Sequence, residues 1–458
     1  MYALIDGNNF YVSCERAFRP SLQGRAVVVL SNNDGCAISR SDESKAMGVK
    51  MGQPFFELRH LVELQGLVCL SANFELYGDM SDRMMSLAAG LGPVQEVYSI
   101  DESFIGDLAG VRDLTRRAWA IRSRIERWLG IPCCVGLAPT KTLAKLCNHV
   151  AKSAERKPGS YPAHLARVCN WLELAQAPGL NLDQDQKSGG KDVGSMQAEI
   201  LRRTLASDVW GIGKRLAARL AEIGVVTALD VSRMPVSLVR GRFGVVLERT
   251  VRELQGVSCI SMELAPPPKQ QIACTRSFGH AITDLPPLIE AVSEFASRAG
   301  EKLRSQGLRA GAINVFAHTS PFRPGRRFYR NATIQLQPPS SDSQVLVGAA
   351  VRGIQSFYEP GYRLSKAGVM LLDLAPSSLE QGDLLEGLAS GAGRPARDPR
   401  GSGLMEAVDR LNGRFGKGAV HLGSTGFADQ DEAGWRMRQE RRTPRYTTRI
   451  GEIPLVRA

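Results

Sequence analysis

The chain of 458 residues carries 58 Lys and Arg against 46 Asp and Glu, a net charge of +12 at neutral pH. Hydrophobic residues make up 43% and charged residues 23%, a globular composition that excludes wholesale disorder and collagen-like architecture. No apolar run approaches the ~20 residues of a membrane span, no signal peptide is recognisable, and the nine cysteines form no CxxC pair. We therefore expect a cytoplasmic protein of about three domains, with no membrane association, no zinc site and a polyanionic partner.

The positive charge is unevenly distributed along the chain. Residues 1–110 contain 14 acidic and 8 basic side chains, and residues 374–393 contain three acidic side chains and no basic one. The basic excess therefore lies in the remaining segments. This distribution favours a catalytic carboxylate centre flanked by domains that grip nucleic acid.

Strands and helices are predicted to alternate over roughly the first 170 residues, which indicates an α/β domain. The predicted strands are Tyr2–Asp6, Arg25–Leu30, Cys36–Ser39, Glu96–Ile100, Ser103–Ile105 and Cys133–Leu137. The predicted helices are Asn9–Phe18, Asp42–Met47, Ser71–Leu91, Asp113–Leu129 and Thr140–Lys152.

The rest of the chain is predicted to contain a helical region and a second α/β domain. Residues 208–265 have mostly helical patterns, and Gln184–Gly194 is typical of a flexible polar loop. Residues 388–403, rich in Gly, Ala, Arg and Pro, are predicted to be a linker. The second α/β domain follows Pro266–Pro268, with predicted strands Gly311–Ala317 and Ala332–Leu336 and predicted helices Leu288–Leu303 and Ser343–Phe357.

Three carboxylates stand at strand ends. Asp6 ends the first strand, and Asp101 and Glu102 form an acidic break within an apolar strand pair. Neighbouring strands of one sheet could bring all three together, and such a cluster of hard oxygen ligands selects Mg²⁺ or Mn²⁺. The alternative is that Asp6 caps the following helix and the other two lie in a solvated turn.

Ordered motifs run through nearly the whole chain. Residues 6–11 read DGNNFY and residues 98–103 read YSIDES. Further motifs, in chain order, are Val27–Cys36, Gly48–Gly52, Pro139–Lys145, Asp208–Gly213, Val245–Leu254, Arg276–Gly279 and Pro444–Arg449. Together they resemble the Y-family DNA polymerases, the translesion enzymes, and are most similar to the UmuC branch.

The resemblance implies a multidomain right-hand polymerase of the α/β (α+β) class, performing template-directed, error-prone translesion DNA synthesis in the SOS response to DNA damage. The implied segments are palm 1–24, fingers 25–70, palm 71–170, a helical thumb 171–265 with a helix-hairpin-helix and an inserted flexible loop near 178–205, little finger 266–373, a clamp-binding linker 374–393 and a partner-binding tail 394–458. It also implies two-metal-ion nucleotidyl transfer with dNTP substrates and two Mg²⁺ ions, or Mn²⁺ in their place.

The resemblance assigns roles to individual residues of the palm. Asp6, Asp101 and Glu102 match the catalytic, metal-binding carboxylates, and Gly7 could add its carbonyl oxygen. Tyr11 matches the steric gate that excludes a ribose 2′-hydroxyl, and Phe10 and Tyr11 are both expected to bind the nucleotide. As an alternative, both rings could be core aromatics of the first helix.

The residues expected to bind the nucleotide depart in part from the family pattern. Lys145 matches the lysine that reaches the incoming triphosphate. Where many relatives carry Tyr-x-x-Arg in the fingers, this chain has Asp42 and Lys45. Lys45 could replace the Arg as a point charge, Asp42 cannot replace the Tyr, and Arg40 could compensate.

Other residues are expected to contact DNA and protein partners. The turn at Gly211 and Gly213 resembles a helix-hairpin-helix whose backbone N–H groups, with Lys214 and Arg215, meet a DNA phosphate, although a plain helix-start turn has the same pattern. A basic stretch in the little finger suits a groove that follows the DNA backbone, or a solvated hairpin. The candidate DNA-contact residues of the little finger are Arg276 and, within the basic stretch Pro321–Arg330, Arg327 and Arg330.

The last two segments resemble partner-binding regions. Gln381, Leu384 and Leu385 resemble the peptide that binds the bacterial sliding clamp. The last 60 residues resemble the UmuC tail, which implies binding to a UmuD-type accessory dimer and a RecA filament. The implied nucleic-acid partner is primer-template DNA.

Two functions of other classes fit parts of the same sequence. A catalytically silent DNA-bound scaffold is compatible with the altered fingers motif. A nucleotidyl cyclase also pairs carboxylates on strands, but it needs neither a helix-hairpin-helix nor a basic C-terminal half.

Overall fold

The computed structural model describes residues 1–175, 195–265, 267–378, 399–426, 435 and 437–453. The chain forms two compact units. The described parts of residues 1–31, 35–265 and 441–453 belong to the first, and those of 32–34 and 267–440 to the second. Among the described helices, none has the length and apolar character to cross a membrane.

The strands and helices are numbered separately along the chain. The strands are β1 (Tyr2–Gly7), β2 (Val27–Leu30), β3 (Ala37–Arg40), β4 (Val68–Ser71), β5 (Val94–Val97), β6 (Glu102–Gly106), β7 (Cys133–Ala138), β8 (Val168–Asn170), β9 (Ile272–Ile282), β10 (Leu308–Thr319), β11 (Tyr329–Ser340) and β12 (Leu364–Pro376). The helices are α1 (Phe10–Phe18), α2 (Asp42–Ala46), α3 (Phe55–Gln65), α4 (Phe74–Ala88), α5 (Leu114–Leu129), α6 (Lys141–Arg156), α7 (Trp171–Leu174), α8 (Met196–Arg203), α9 (Lys214–Ala221), α10 (Ala228–Ser232), α11 (Val236–Phe243), α12 (Val245–Leu254), α13 (Leu285–Arg304), α14 (Ser343–Phe357) and α15 (Pro399–Phe415).

The central sheet of the first unit has the order β5-β6-β1-β7-β8 and is covered on both faces. Because side chains alternate along a strand, Ala3 and Ile5 join a core with α1, α4 and α5, whereas Leu4 joins a core with α6. Asp6, two residues after Leu4, therefore projects on the α6 side. Gly136 of β7 lets α6 approach closely, since a Cβ there would lie 2.1 Å from the Ala144 carbonyl oxygen.

A second, three-stranded sheet has the order β3-β2-β4, with β2 parallel to β4 and antiparallel to β3. The prediction of a helix over Ser71–Leu91 is wrong at its start. Ser71 ends β4, and α4 begins only at Phe74. Pairing with β2 decides the conformation of Val68–Ser71, a tertiary interaction that local periodicity does not reveal.

The helical segment α9–α12 docks on the N-terminus of α6 through one buried carboxylate. Glu253 on α12 is fully buried and accepts hydrogen bonds from the backbone N–H groups of Thr142, Cys259 and Ile260, at 2.9, 2.8 and 3.0 Å. Thr140 also donates its hydroxyl to the Glu253 carbonyl oxygen. These bonds fix the helices to the same helix that faces Asp6.

The second unit contains a four-stranded antiparallel sheet of order β11-β10-β12-β9. Helices α13 and α14 pack on it, and their apolar residues share one core with the strands. The prediction of a linker over 388–403 is wrong for its last five residues, which begin α15. The predicted loop Gln184–Gly194 and residues 388–398 lie outside the described residues.

The C-terminal segment, residues 441–453, packs on the first unit. Tyr446 is buried and its ring stacks on Phe18 of α1, with centroids 4.9 Å apart. Arg445 forms ion pairs with Glu75 and Glu452. This part of the expected partner-binding tail is therefore built into the core of the first unit.

Candidate active site

The three predicted carboxylates lie at one end of two paired strands. The antiparallel register of β1 and β6 sets Asp6 directly opposite Glu102. The backbone N–H of Gly7 donates to the Asp101 carbonyl oxygen at 2.8 Å, which holds the turn before β6 against the end of β1. The neighbouring strands therefore place these three acids at the same end of the sheet.

Basic side chains along α6 meet acids on successive strands. Lys141 pairs with Glu96 at 2.6 Å, Lys145 pairs with Glu102 at 2.8 Å, and Lys152 pairs with Asp6. Residues four and seven apart share a helix face, so these ammonium groups form one stripe across β5, β6 and β1. The stripe supplies the positive charge that keeps the acidic end of the sheet stable.

The two facing carboxylates differ in protonation behaviour. Burial raises the pKa of Asp6 to about 7; the charge of Lys152 opposes that rise and the charge of Glu102 adds to it. Burial also acts to raise the pKa of Glu102, but Lys145, a hydrogen bond with Asp6 and the charge of Lys152 together outweigh it and hold this pKa below its ordinary value. Glu102 is therefore the ionised partner and Asp6 the acid that resists ionisation.

The donor atoms at this end of the sheet suit a hard divalent cation. Among the residues that the structure describes, no three His, Cys, Asp or Glu side chains converge closely enough to hold a metal ion. The carboxylate of Asp101 accepts a hydrogen bond from the Ser99 hydroxyl at 2.7 Å. Asp6 is nevertheless a buried carboxylate repelled by a second one, and carboxylate oxygens are the ligands that Mg²⁺ and Mn²⁺ prefer.

A cavity of about 440 Å³ opens beside the carboxylates. Acidic groups and aromatic rings lie along one part of its wall and four basic side chains along another, a combination that suits a metal-bound polyphosphate with a flat ring system. The predicted site residues that line it are Asp6, Gly7, Phe10, Tyr11, Arg40, Lys45, Asp101 and Glu102.

Two cations in the cavity wall were not singled out from the sequence. Lys152 and Arg156 line the cavity, whereas Lys145 is absent from its lining and faces the rings of Tyr98 and Trp210 at 4.4 and 5.4 Å. The predicted helix ended at Lys152, one turn short of the end of α6 at Arg156. Lys152 and Arg156 follow Lys145 by seven and eleven residues, a spacing that puts all three side chains on one face of the helix. This spacing is the sequence signal that could have identified both cations.

A polar network joins α2 to the start of α1. Lys45 donates to Asn9 at 2.6 Å and to Asp42 at 2.8 Å, and Arg156 donates to Asn9 at 3.3 Å. Asn9 adopts a left-handed conformation with φ of 49°, which Asn tolerates better than most residues. Asp42 therefore holds Lys45 and Arg156 beside the cavity, and its pKa falls below the ordinary value because these cations outweigh its partial burial.

The expected gate residue is held by other aromatic rings. Tyr11 is half-buried and stacks on Tyr77 with centroids 4.5 Å apart and an interplanar angle of 17°. Phe74 meets Tyr11 edge-on at 5.9 Å, and Phe10 is buried beneath it. Burial and the nearby charge of Asp101 raise the pKa of Tyr11, so its phenol stays protonated.

The predicted DNA-contact residues have varied environments. Gly211 has a φ of 89°, and a Cβ there would lie 3.0 Å from the Thr250 hydroxyl, so the turn before α9 needs this glycine. Gly213 is the N-cap of α9, and Lys214 and Arg215 in its first turn are exposed.

The little-finger arginines differ from one another in exposure. Arg276 on β9 lies over the rings of Phe295 and Trp435, each at 5.8 Å. Arg327 just before β11 and Arg330 within it are both exposed. Gln381, Leu384 and Leu385 lie outside the described residues.

Comparison with known proteins identifies the family. Residues 5–149 match the impB/mucB/samB family, residues 269–384 match the impB/mucB/samB family C-terminal domain, and residues 402–456 match a domain of unknown function, DUF4113. The chain is 40% identical to Protein UmuC of Salmonella typhimurium over 457 residues, covering 99% of each chain. The chain belongs to the impB/mucB/samB family. It is thus a UmuC-type Y-family DNA polymerase, an enzyme class of error-prone translesion synthesis, as its motifs predicted.

Further relatives agree with this assignment. Protein ImpB of Salmonella typhimurium is 38% identical over 461 residues, with 100% of both chains covered. DNA polymerase IV of Moorella thermoacetica is 28% identical over 434 residues, covering 91% of this chain and 94% of the relative. A solved Y-family DNA polymerase chimera of Dbh and Dpo4 shares the fold, with a TM-score of 0.60 and 17% identity over 82% of this chain and 99% of that one. The predicted multidomain α/β (α+β) polymerase fold is confirmed.

The raised pKa of Asp6 predicts a pH-dependent stability. Because the folded state binds the Asp6 proton more tightly than the unfolded state does, the contribution of this residue to stability is lost as pH rises from its unfolded value of 3.8 through about 7. In the presence of a chelator, the free energy of unfolding of wild type should fall more between about pH 5 and about pH 8 than that of Asp6→Asn. Urea titrations measure both slopes, and equal slopes would contradict the assigned environment of Asp6.

Proposed function

We propose that this chain extends a DNA primer past damaged bases by nucleotidyl transfer at the end of β1 and β6. The observation that carries the proposal is the cavity beside them, which combines Asp6, Asp101 and Glu102 with four basic side chains and the ring of Tyr11. A nucleoside triphosphate would use both parts of this wall. The basic side chains neutralise its anionic phosphates, and the carboxylates hold the divalent cations that the reacting phosphate needs.

Divalent cations would be held by the acidic wall. We propose that Asp6, Asp101 and Glu102, with the Gly7 carbonyl oxygen, bind two Mg²⁺ ions or Mn²⁺ in their place. When bound, such ions favour ionisation of the attacking hydroxyl and stabilise the leaving pyrophosphate. The residues themselves orient the ions through the β1–β6 register, while Lys145 keeps Glu102 ionised by lowering its pKa.

The basic wall would bind the triphosphate of the incoming dNTP. Lys45, Lys152 and Arg156 offer ammonium and guanidinium donors, and Asp42 and Asn9 hold two of them in place. Arg40 also lines the cavity, with one guanidinium nitrogen donating to the Val49 carbonyl oxygen at 2.7 Å. Tyr11 would exclude a ribose 2′-hydroxyl by occupying the space beside the sugar.

The remaining segments would grip DNA and partners. We propose palm, fingers, thumb and little-finger roles for the segments expected from the sequence. Exposed Lys214 and Arg215 and the N-terminus of α9 suit a phosphate of primer-template DNA, and exposed Arg327 and Arg330 suit its backbone. Residues 381–385 would bind the sliding clamp, and the C-terminal region a UmuD-type dimer and a RecA filament. The protein would act in the cytoplasm.

Primer extension tests the proposed chemistry. Asp101→Asn preserves size but removes a charge, so incorporation should fall about a thousandfold or more if this carboxylate helps to hold the cations. Asp107→Asn, an exposed aspartate at the far end of the same hairpin, is the matched control and should retain wild-type rates. The assay needs Mg²⁺, primer-template and the accessory partners. A folded Asp101→Asn enzyme with wild-type activity would refute the proposal.

A matched pair of variants separates two candidates for the triphosphate lysine. The motif assigns this role to Lys145, whereas the cavity wall favours Lys152. Lys152→Met should raise the KM for dNTP about tenfold, and Lys145→Met should lower kcat with little change in KM, because Lys145 pairs with Glu102. Steady-state single-nucleotide insertion measures both constants. The opposite pattern would return the role to Lys145.

A further inference from the structure

The C-terminal segment makes its most buried polar contacts at the start of α4. The side-chain amide of Asn73 donates to the Thr443 carbonyl oxygen at 3.2 Å, the Thr443 hydroxyl at 3.1 Å and the Pro444 carbonyl oxygen at 3.0 Å. Ser71 and Arg441 exchange two further hydrogen bonds through backbone and hydroxyl groups. Thr443 is only 4% exposed, so water cannot readily substitute for these contacts.

The Thr443 hydroxyl is one end of a buried relay, the hydrogen-bonded chain of Thr443, Glu15 and Tyr77. It donates to Glu15 Oε1 at 3.0 Å, and the Tyr77 hydroxyl donates to the same oxygen at 2.7 Å. Glu15 and Tyr77 are both fully buried. Among the described residues, Glu15 Oε2 has no hydrogen-bond partner, so the position of this carboxylate depends on the two donors to Oε1.

The relay ends at the wall of the cavity. The ring of Tyr77 is the surface on which Tyr11 stacks, and Phe74 packs edge-on against both rings. Tyr77 is anchored at its hydroxyl by Glu15, and that anchor is fixed in turn by Thr443. A shift of Tyr77 would therefore move Tyr11 relative to Asp101 and the cavity.

We propose that Thr443 is a positioning residue for sugar discrimination, so that the C-terminal segment sets the gate through Glu15 and Tyr77. The inference rests on the proposed function, because it requires Tyr11 to face the sugar of the incoming nucleotide. It gives a role in the polymerase reaction to a segment inside the region that matches a domain of unknown function. The segment acts at a distance, since Thr443 itself is not among the residues that line the cavity.

Three threonine variants of the full chain test this role. Thr443→Val removes the hydroxyl at nearly constant volume, Thr443→Ser retains it, and Thr448→Val makes the same change at an exposed position of the same segment. For each variant, kcat/KM is measured for a dNTP and the matching rNTP on primer-template DNA, together with the thermal unfolding midpoint. The ratio of the two constants is the deciding quantity.

We expect Thr443→Val, alone among the three variants, to prefer the dNTP over the rNTP less strongly than wild type does. Thr443→Val should reduce the dNTP/rNTP ratio about threefold to tenfold, the scale of one lost hydrogen bond, with Thr443→Ser and Thr448→Val close to wild type. A purely structural role would lower both constants alike and leave the ratio unchanged. An unchanged ratio in Thr443→Val, or an equal loss in Thr448→Val, would overturn the inference.

Tyr11→Ala separates a failure of this inference from a failure of the proposed function. If wild type polymerises and Tyr11→Ala admits rNTPs while Thr443→Val discriminates normally, only the inference fails. If Tyr11→Ala keeps the wild-type ratio, the gate role in the proposed function fails, and the inference fails with it. If wild type incorporates no nucleotide with partners present, the proposed function itself is wrong.

Discussion

The antiparallel pairing that sets Asp6 opposite Glu102 is the constraint on which the rest of the first unit depends. Two carboxylates at one end of a sheet repel, and burial of Asp6 makes the repulsion stronger. Helix α6 offsets this cost because its stripe of lysines crosses three strands and meets an acid on each. The close approach that the stripe needs is permitted by Gly136, and the helix is fixed at its N-terminus by Glu253.

The same helix connects the acidic wall to the basic one. One turn beyond Lys152, Arg156 reaches Asn9 and Asp42, so α6 links β1, the start of α1 and α2. Asp42, which stands where the family pattern has a tyrosine, has a structural role in this arrangement. Asp42 contributes no aromatic ring and no hydrogen-bond donor; it forms ion pairs with Lys45 and Arg156 and so holds two cations at the cavity.

The sequence predicted elements well where local pattern and tertiary packing agree. Helix α14 has the predicted bounds, and the strand ends carrying Asp6 and Glu102 were located from apolar runs broken by acids. Prediction failed where distant pairing decides structure, as at Ser71 of β4. Lys152 lies beyond the motif Pro139–Lys145, so the motif does not identify it as a site residue. The contact of Thr443 with Glu15 joins residues 428 positions apart, beyond the reach of any local pattern.

Binding of Mn²⁺ tests most directly whether the β1–β6 carboxylates form a divalent-cation site. Electron paramagnetic resonance of added Mn²⁺ should detect binding to wild type and to Asp107→Asn. Asp6→Asn and Asp101→Asn should weaken it about tenfold or more, because affinity for hard cations follows the number of charged ligands. Unaltered Mn²⁺ affinity in folded Asp6→Asn and Asp101→Asn would contradict the account of this site.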